Sequence, residues 1–437
     1  MKAIFLLFFL TIGICANRPY PYHSGYPNNN DNSCDNYGNE PYPPNMNRQI
    51  QGSVRMPNPA FINSNSNFAF KFLRQASNGA ERSSLARENL VFSPMCISSA
   101  FAMLALGAKA NTLNQILRTL SFTPAEIQES MIHQGFHDVL YRLNNEGNGL
   151  QVETGSCLFV ENKLRPQQAF LDGIRNIYGG ELFMEDFKNA AETEQHINSY
   201  IEKKTHGMIP KLVDQINPIT EVLLVSYIYM KAKWKKPFNP KYTELHDFYV
   251  NPYTAVKVPM MFQMGMFENC RDDEWSCTVL KMPYDGHAAA FFILPDPGQL
   301  DNVVNSLSCE VLQSWKRKLR KSPTDVYIPK CTVSGKLNLK GIMYPLGIVD
   351  VFTDKADLSG ITGKPQHRLS EAVHKAVMMI DERGTEASAA SSMDIVPMSM
   401  PATIKLDRPF LILIADEKTS SILFMSKMLN PSEKQTG

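Results

Sequence analysis

The apolar pattern changes character along this chain. Phe68, Phe70, Phe72 and Leu73 open a helical stretch, and residues 97–106 and 116–120, separated by Gly107 and Asn111, predict two further helices. Residues 222–230, 288–294, 326–328 and 410–415 are β-branched or aromatic runs bounded by Pro, Gly or charges, and predict strands. Helices thus crowd the first half and strands the second. No regular βαβ alternation and no repeat at a fixed period interrupts that order, which favours one α+β body over a parallel α/β sheet or a solenoid.

Composition sets the limits of that body. With 437 residues, of which 43% are apolar and 20% charged, the chain holds enough apolar mass for a large globule. Disorder throughout and a collagen-like design are excluded. Lys2 precedes the apolar run 3–15, long enough for a signal-peptide core and too short to span a bilayer, so residues 1–16 are read as a secretory signal cut near Ala16. A secreted, extracellular protein is expected. Residues 17–60 are dominated by Asn, Pro and Tyr and cannot bury enough apolar surface to offset their ordering entropy. They predict a flexible tail before a single domain at 61–437.

Charge and cysteines narrow the partners. The formal charge is +1, and removing Lys2 brings it to neutrality, so no global field draws the protein to nucleic acid or to a membrane surface. Cys15, one of eight cysteines, leaves with the signal, and Cys34, Cys96, Cys157, Cys270, Cys277, Cys309 and Cys331 remain. An odd number leaves at least one thiol free or paired between chains. Cys270 and Cys277 either bridge a hairpin or, like the others, are buried small hydrophobes. A monomer is expected.

Enzymatic signatures are absent from the text of the chain. It contains no G-x-S-x-G, H-E-x-x-H, G-x-x-x-x-G-K, G-x-G-x-x-G or C-x-x-C, and its nine histidines stand singly. No catalytic residue, metal or cofactor is expected. The unusual segment is 382–401. With a period of two, Thr385, Ala387, Ala389, Ser391, Met393 and Ile395 fall on one face and Glu386, Ser388, Ala390, Ser392 and Asp394 on the other. Its first half is all small residues, too poor in apolar surface to hold as an independent strand, and Gly384 supplies a pivot. Such a segment suits a loop that later becomes a strand.

Several long motifs then carry a family resemblance. From Asn89, NLVFSPMCISSAFAMLALGAKANTLNQILRTL resembles a serpin segment of the form N-x-V-F-S-P-x-S-I leading into A-x-x-x-L-x-L-G-A-x-x-x-T. LLVSYIYMKAKWKKPFNPKYT (223–243), VPMMFQMGMF (258–267), LSEAVHKAVMMIDERGTEA (369–387) and RPFLILIADEKTSSILFMSKMLNP (408–431) resemble later serpin blocks in the same order. The likeness runs from about residue 65 to 433 and is greatest to the secreted antitrypsin-like branch. It implies the serpin fold: three β-sheets, about nine helices and an exposed reactive-centre loop, here about 382–403. It also implies a suicide-substrate inhibitor rather than an enzyme, in which a cut loop inserts into a sheet and carries the acylated protease with it.

The resemblance places residues in roles. Glu382, Gly384, Thr385, Ala387 and Ala389 align with the loop hinge, and the usual distance from it puts the reactive bond at Met398–Ser399, between Pro397 and Pro401. An unbranched apolar side chain before the cut suits an elastase-like or chymotrypsin-like serine protease and offers no cation to an acidic pocket. Ser93, Cys96, Ser226, His374 and Trp234 fall in the region where the sheet opens. Cys96, Ser226 and Ala232 depart there from the usual Ser, Asn and Gly, as does Ser426 from Gly in the final strand. Residues 309–322 place Leu312, Trp315 and Leu319 on one helical face, ringed by Lys316, Arg317, Lys318, Arg320 and Lys321. Because some secreted serpins bind heparin through a basic helix, heparin or a related glycosaminoglycan is an expected partner. The alternative reading is a non-inhibitory serpin that carries a small hydrophobic hormone.

Overall fold

The computed structural model describes residues 56–78, 88–123, 125–145, 150–365, 367–383 and 401–433. The expected signal segment, Cys34, residues 17–55 of the expected tail, and Gly384, Thr385, Ala387, Ala389, Met398 and Ser399 lie outside the described residues. The first described helix begins at Pro59, so the last two residues assigned to the tail are already folded.

In chain order the elements are α1 (Pro59–Asn78), β1 (Leu90–Phe92), α2 (Pro94–Ala105), α3 (Ala110–Thr119), α4 (Glu129–Asn145), β2 (Leu150–Glu161), α5 (Gln168–Tyr178), β3 (Glu181–Glu185), α6 (Ala190–Lys204), β4 (Val222–Ala232), β5 (Thr243–Asn251), β6 (Thr254–Asp272) and β7 (Cys277–Pro283). There follow β8 (Ala288–Pro295), α7 (Leu300–Ser306), α8 (Cys309–Lys318), β9 (Arg320–Pro329), β10 (Cys331–Asn338), α9 (Leu339–Leu346), α10 (Ser359–Thr362), β11 (Glu371–Ile380), β12 (Ala402–Lys405), β13 (Phe410–Asp416) and β14 (Ile422–Met428). The body is α+β, as expected. Strands β1 to β3 nonetheless stand among the early helices, where short or mixed apolar runs gave no clear period.

Two hydrogen-bonded ladders organise the strands. A five-stranded sheet has the order β10-β11-β4-β2-β3, and a nine-stranded one runs β1-β14-β13-β8-β7-β6-β9-β12, with β5 pairing to β6. The five-stranded sheet stands apart, and the other two of the three expected sheets are joined in hydrogen bonding. The 19-residue β6 links them, because its first part pairs with β5 while its last part pairs with β7.

The five-stranded sheet is covered on both faces, which explains why β4 reads as an almost unbroken apolar run. Leu223, Val225, Tyr227 and Tyr229 face Ile197 and Ile201 of α6 and the following Ile209, Leu212 and Val213. Residues of opposite parity face inward: Leu224 toward α2 and Ile228 toward the second ladder. Helix α2 is wholly buried and starts cleanly, with Pro94 in its first turn and the Ser93 hydroxyl accepting from the Cys96 N–H. On β14, the Ser426 hydroxyl is buried without a hydrogen-bond partner among the described residues, and nothing in the structure accounts for it.

Candidate functional site

The site grows out of the strand order. At the centre of the five-stranded sheet, β11 and β4 run parallel, in register from Glu371 opposite Leu223 to Met378 opposite Met230. Their outer neighbours β10 and β2 pair antiparallel to them. A parallel ladder is slightly weaker per residue than an antiparallel one, so this seam is softer than the pairings on either side of it. The chain leaves β11 at Asp381, and its next described strand, β12, lies beside β9 in the other ladder.

A buried polar knot fastens the middle of the seam. Ser226 and His374 are register partners across it, and the Ser226 Oγ is 2.8 Å from His374 Nδ1. The Ser93 N–H donates to His374 Nε2 at 3.0 Å. A nitrogen that accepts cannot carry the proton, so His374 is the Nδ1–H tautomer and donates to Ser226. Burial depresses its pKa from 6.5 to about 3, against a smaller opposing contribution from Ser226, and the ring is neutral. Cys96 extends the knot to β2 through a 2.8 Å contact between its Sγ and Thr154 Oγ1. Burial pushes the Cys96 thiol up to about 11, so it acts as a weak hydrogen-bonding group and not as a nucleophile.

A second fastening sits where the chain leaves the seam. Trp234 stacks on Tyr284 with ring centroids 4.3 Å apart, and its Nε1–H donates to the Asp381 carbonyl at 2.8 Å. The Phe238 N–H donates to the Glu382 carbonyl at 2.8 Å. The Glu382 carboxylate, 7% exposed, takes hydrogen bonds from Lys330 Nζ at 2.7 Å and Thr243 Oγ1 at 2.9 Å. Burial alone would raise its pKa, but these donors and its own backbone N–H hold it below the ordinary value. Of the five residues expected where the sheet opens, Ser93, Cys96, Ser226 and His374 therefore converge, while Trp234 belongs to this separate latch with the hinge residue Glu382. Thr154, Thr243 and Lys330 carry no sequence signal of their own. They are found only because β2, β5 and the β9–β10 turn are brought against the seam.

Two further expectations are altered by geometry. In the β6–β7 ladder Cys270 stands opposite Val279 and Cys277 opposite Asp272, so the two cysteines do not face each other, and both are free and buried. The basic helix also ends sooner than its pattern suggested. Helix α8 stops at Lys318 and Leu319 caps it, with Leu312, Trp315 and Leu319 buried as expected. Lys318 pairs with buried Asp272 at 3.0 Å, Lys316 lies 5.9 Å over the Phe291 ring, and Arg320 folds back onto the Arg317 and Leu319 carbonyls. Only Arg317 and Lys321 of the five remain exposed without such engagement among the described residues.

This fold sets a parallel seam at the centre of a sheet and fastens it at its middle and at the exit of the chain. The chain belongs to the serpin family: the family model described as "Serpin (serine protease inhibitor)" matches residues 63–431. Its relatives lie in the antitrypsin branch. Pig alpha-1-antitrypsin (Sus scrofa) is 42% identical over 367 residues, covering 84% of this chain and 86% of that protein. Bovine alpha-1-antiproteinase (Bos taurus) is 41% identical over 84% of this chain and 87% of its own length. Among solved structures, human thyroxine-binding globulin in complex with thyroxine superposes with a TM-score of 0.80 at 36% identity, over 85% of this chain and 99% of that one. Human kallistatin gives a TM-score of 0.80 at 37% identity, over 86% and 99%.

Proposed function

We propose that this serpin is a secreted inhibitor that traps an elastase-like or chymotrypsin-like serine protease after cleavage at Met398–Ser399. The observation that carries the reading is the parallel β4–β11 seam, with the small-residue segment attached directly to the end of β11. A strand that follows β11 and folds back between β11 and β4 runs antiparallel to both. It replaces one parallel ladder of eight register rows with two antiparallel ladders. The net gain is about eight hydrogen bonds at ~1 kcal/mol each. Burial of Met393 and Ile395 adds about 1.5–3 kcal/mol apiece, so a release of roughly ten kcal/mol is available to distort a captured active site.

The small side chains at 385, 387 and 389 suit this, since they pass between the separating strands without steric cost. The Glu382–Lys330 latch supports a hinge at 382, where the moving segment begins. Incubation with pancreatic elastase, chymotrypsin and trypsin, followed by denaturing electrophoresis, tests the proposal. A complex that survives boiling in detergent with elastase or chymotrypsin is expected. Cleavage of the segment with the protease left fully active overturns it.

The likeness to thyroxine-binding globulin supports a second reading, a carrier for a small hydrophobic hormone. The two separate cleanly, because a carrier binds its ligand stoichiometrically and leaves protease activity untouched. Titration with thyroxine and with a steroid, read by tryptophan fluorescence, decides for or against it.

A further inference from the structure

We infer that a neutral sugar binds in a polar cavity beside α7, which shares no residue with the seam or its latch. The cavity measures about 380 Å³, and its lining holds Glu274, Trp275 and Ser276 of the β6–β7 turn together with Gln299, Asn302 and Ser306. That volume lies within the range of small-molecule sites. Gln299 precedes α7, and with Asn302 and Ser306 it stands at i, i+3 and i+7, so the three share one helical face. Val303 and Val304, on the other side of the helix, are buried in the core.

The cavity is shaped before any ligand arrives. Buried Asp272, at the end of β6, accepts from the Glu274 and Trp275 N–H groups at 3.1 and 3.3 Å, and the Ser276 carbonyl accepts from the Asp296 N–H at 2.8 Å. Ser276 takes a left-handed backbone, with φ 48°, which a residue bearing a side chain holds only where its surroundings fix it. Trp275 is half-buried: it packs in part against the core and lines the cavity with the rest. On the helix side, the Asn302 amide donates to Gln299 Oε1 at 2.6 Å, and the Ser306 hydroxyl donates to the Val303 carbonyl at 2.9 Å. Those bonds leave Gln299 Nε2 as a donor, and Asn302 Oδ1 and Ser306 Oγ as acceptors.

The chemistry of the lining selects the ligand. Among the described residues it contains one carboxylate, Glu274, and no Lys, Arg or His. Basic side chains nearby are committed elsewhere, since Lys318 pairs with Asp272 and Arg271 with Asp273 and Asp296. A sulfate, phosphate or carboxylate would therefore meet a like charge with no cation to offset it. One carboxylate does not hold a metal ion, and the described residues contain no cluster of three metal-ligating side chains. A wholly apolar ligand would strip water from the amides and return no hydrogen bonds. A pyranose suits both parts of the site, because its hydroxyls donate and accept while its C–H face covers an indole ring. The inference concerns this cavity alone, so it stands or falls independently of the protease reading.

The test titrates the full chain with glucose, galactose and mannose, read by tryptophan fluorescence and by calorimetry. Saturable binding of at least one of them in the millimolar range is expected, with an emission change carried by Trp275. Trp275→Ala should weaken that binding at least tenfold. Should this variant fail to fold because the ring packs on the core, Asn302→Ala, at an exposed position, carries the test with an expected loss of at least threefold. The uronate of whichever sugar binds should bind at least tenfold more weakly than its neutral parent, and Glu274→Gln should narrow that difference. A glycoprotein bearing neutral mannose-rich glycans, before and after enzymatic removal of the glycans, separates the two sources of such a ligand. Glycan-dependent binding tighter than that of the monosaccharide identifies an attached glycan, and binding no tighter identifies a free sugar. No saturable response to any of the three sugars at tens of millimolar, full affinity in the folded variants, or a uronate that binds as well as its parent overturns the inference.

Discussion

Acidification should weaken this fold through one side chain. His374 is neutral in the seam because burial lowers its pKa from 6.5 to about 3. The unfolded chain therefore binds a proton that the folded chain refuses. The stability this contributes is complete above pH 6.5 and is lost as pH falls through that value, until about pH 3. Between about pH 7.5 and 5 the loss amounts to about 2 kcal/mol, a shift of roughly thirtyfold in the folding equilibrium. Burial holds the Cys96 thiol up, and hydrogen bonds hold the Glu382 and Asp272 carboxyls below their ordinary values, so none of these three changes charge inside that window. Urea unfolding of the full chain at the two pH values measures the loss. His374→Gln costs about 1–3 kcal/mol at neutral pH, because the Ser93 N–H and the Ser226 hydroxyl lose the geometry of their partner. It should, however, remove the pH dependence. If wild type loses less than about 0.5 kcal/mol over the window, or if the variant retains the full drop, the assignment of a neutral, proton-refusing His374 is wrong.

Four other outcomes follow from the same geometry. Lys330→Met strips the Glu382 carboxylate of its cation and should lower stability by about 1–2 kcal/mol, discounted because Lys330 is half-exposed; it should also raise the pH at which the latch fails, seen in parallel acid titrations. Gly335→Ala sets a methyl carbon 2.6 Å from the Val91 carbonyl oxygen, so β10 or β1 must move, at about 1–3 kcal/mol in thermal or chemical unfolding. Under the proposed function, Ala387→Arg places a charge on the inserting face, and electrophoresis should show cut protein with no stable protease complex. Peroxide should slow inhibition of elastase by converting Met398 to a polar sulfoxide, and Met398→Leu should resist the treatment.

Much of the framework is legible along the chain, and the reasons are local. Helices α1 to α3 and strands β4, β8, β9 and β13 announce themselves because one buried face imposes a period of 3.6 or because burial on both faces imposes a continuous apolar run. The small-residue alternation after β11 is equally visible. Strand β2 is not, since its run of LQVETGSCLFVE mixes polar and small residues whose burial depends on β4 and β3 lying beside it. The same cause hides part of the site. Ser93, Ser226 and His374 are distant in sequence, and only the parallel register of β4 and β11 brings the last two opposite each other.

Charge shows the division most sharply. The sequence by itself determined that the chain carries a formal charge of only +1, that residues 316–321 are rich in cations and that the segment after β11 is built from small side chains. Tertiary structure decided which charges are available: Asp272, buried at the end of β6, takes Lys318 and the Trp315 N–H, while Lys330 takes Glu382. Sequence counts charges, but an ion pair requires two groups within about 4 Å, and that distance is fixed by strand register and by where each turn lands.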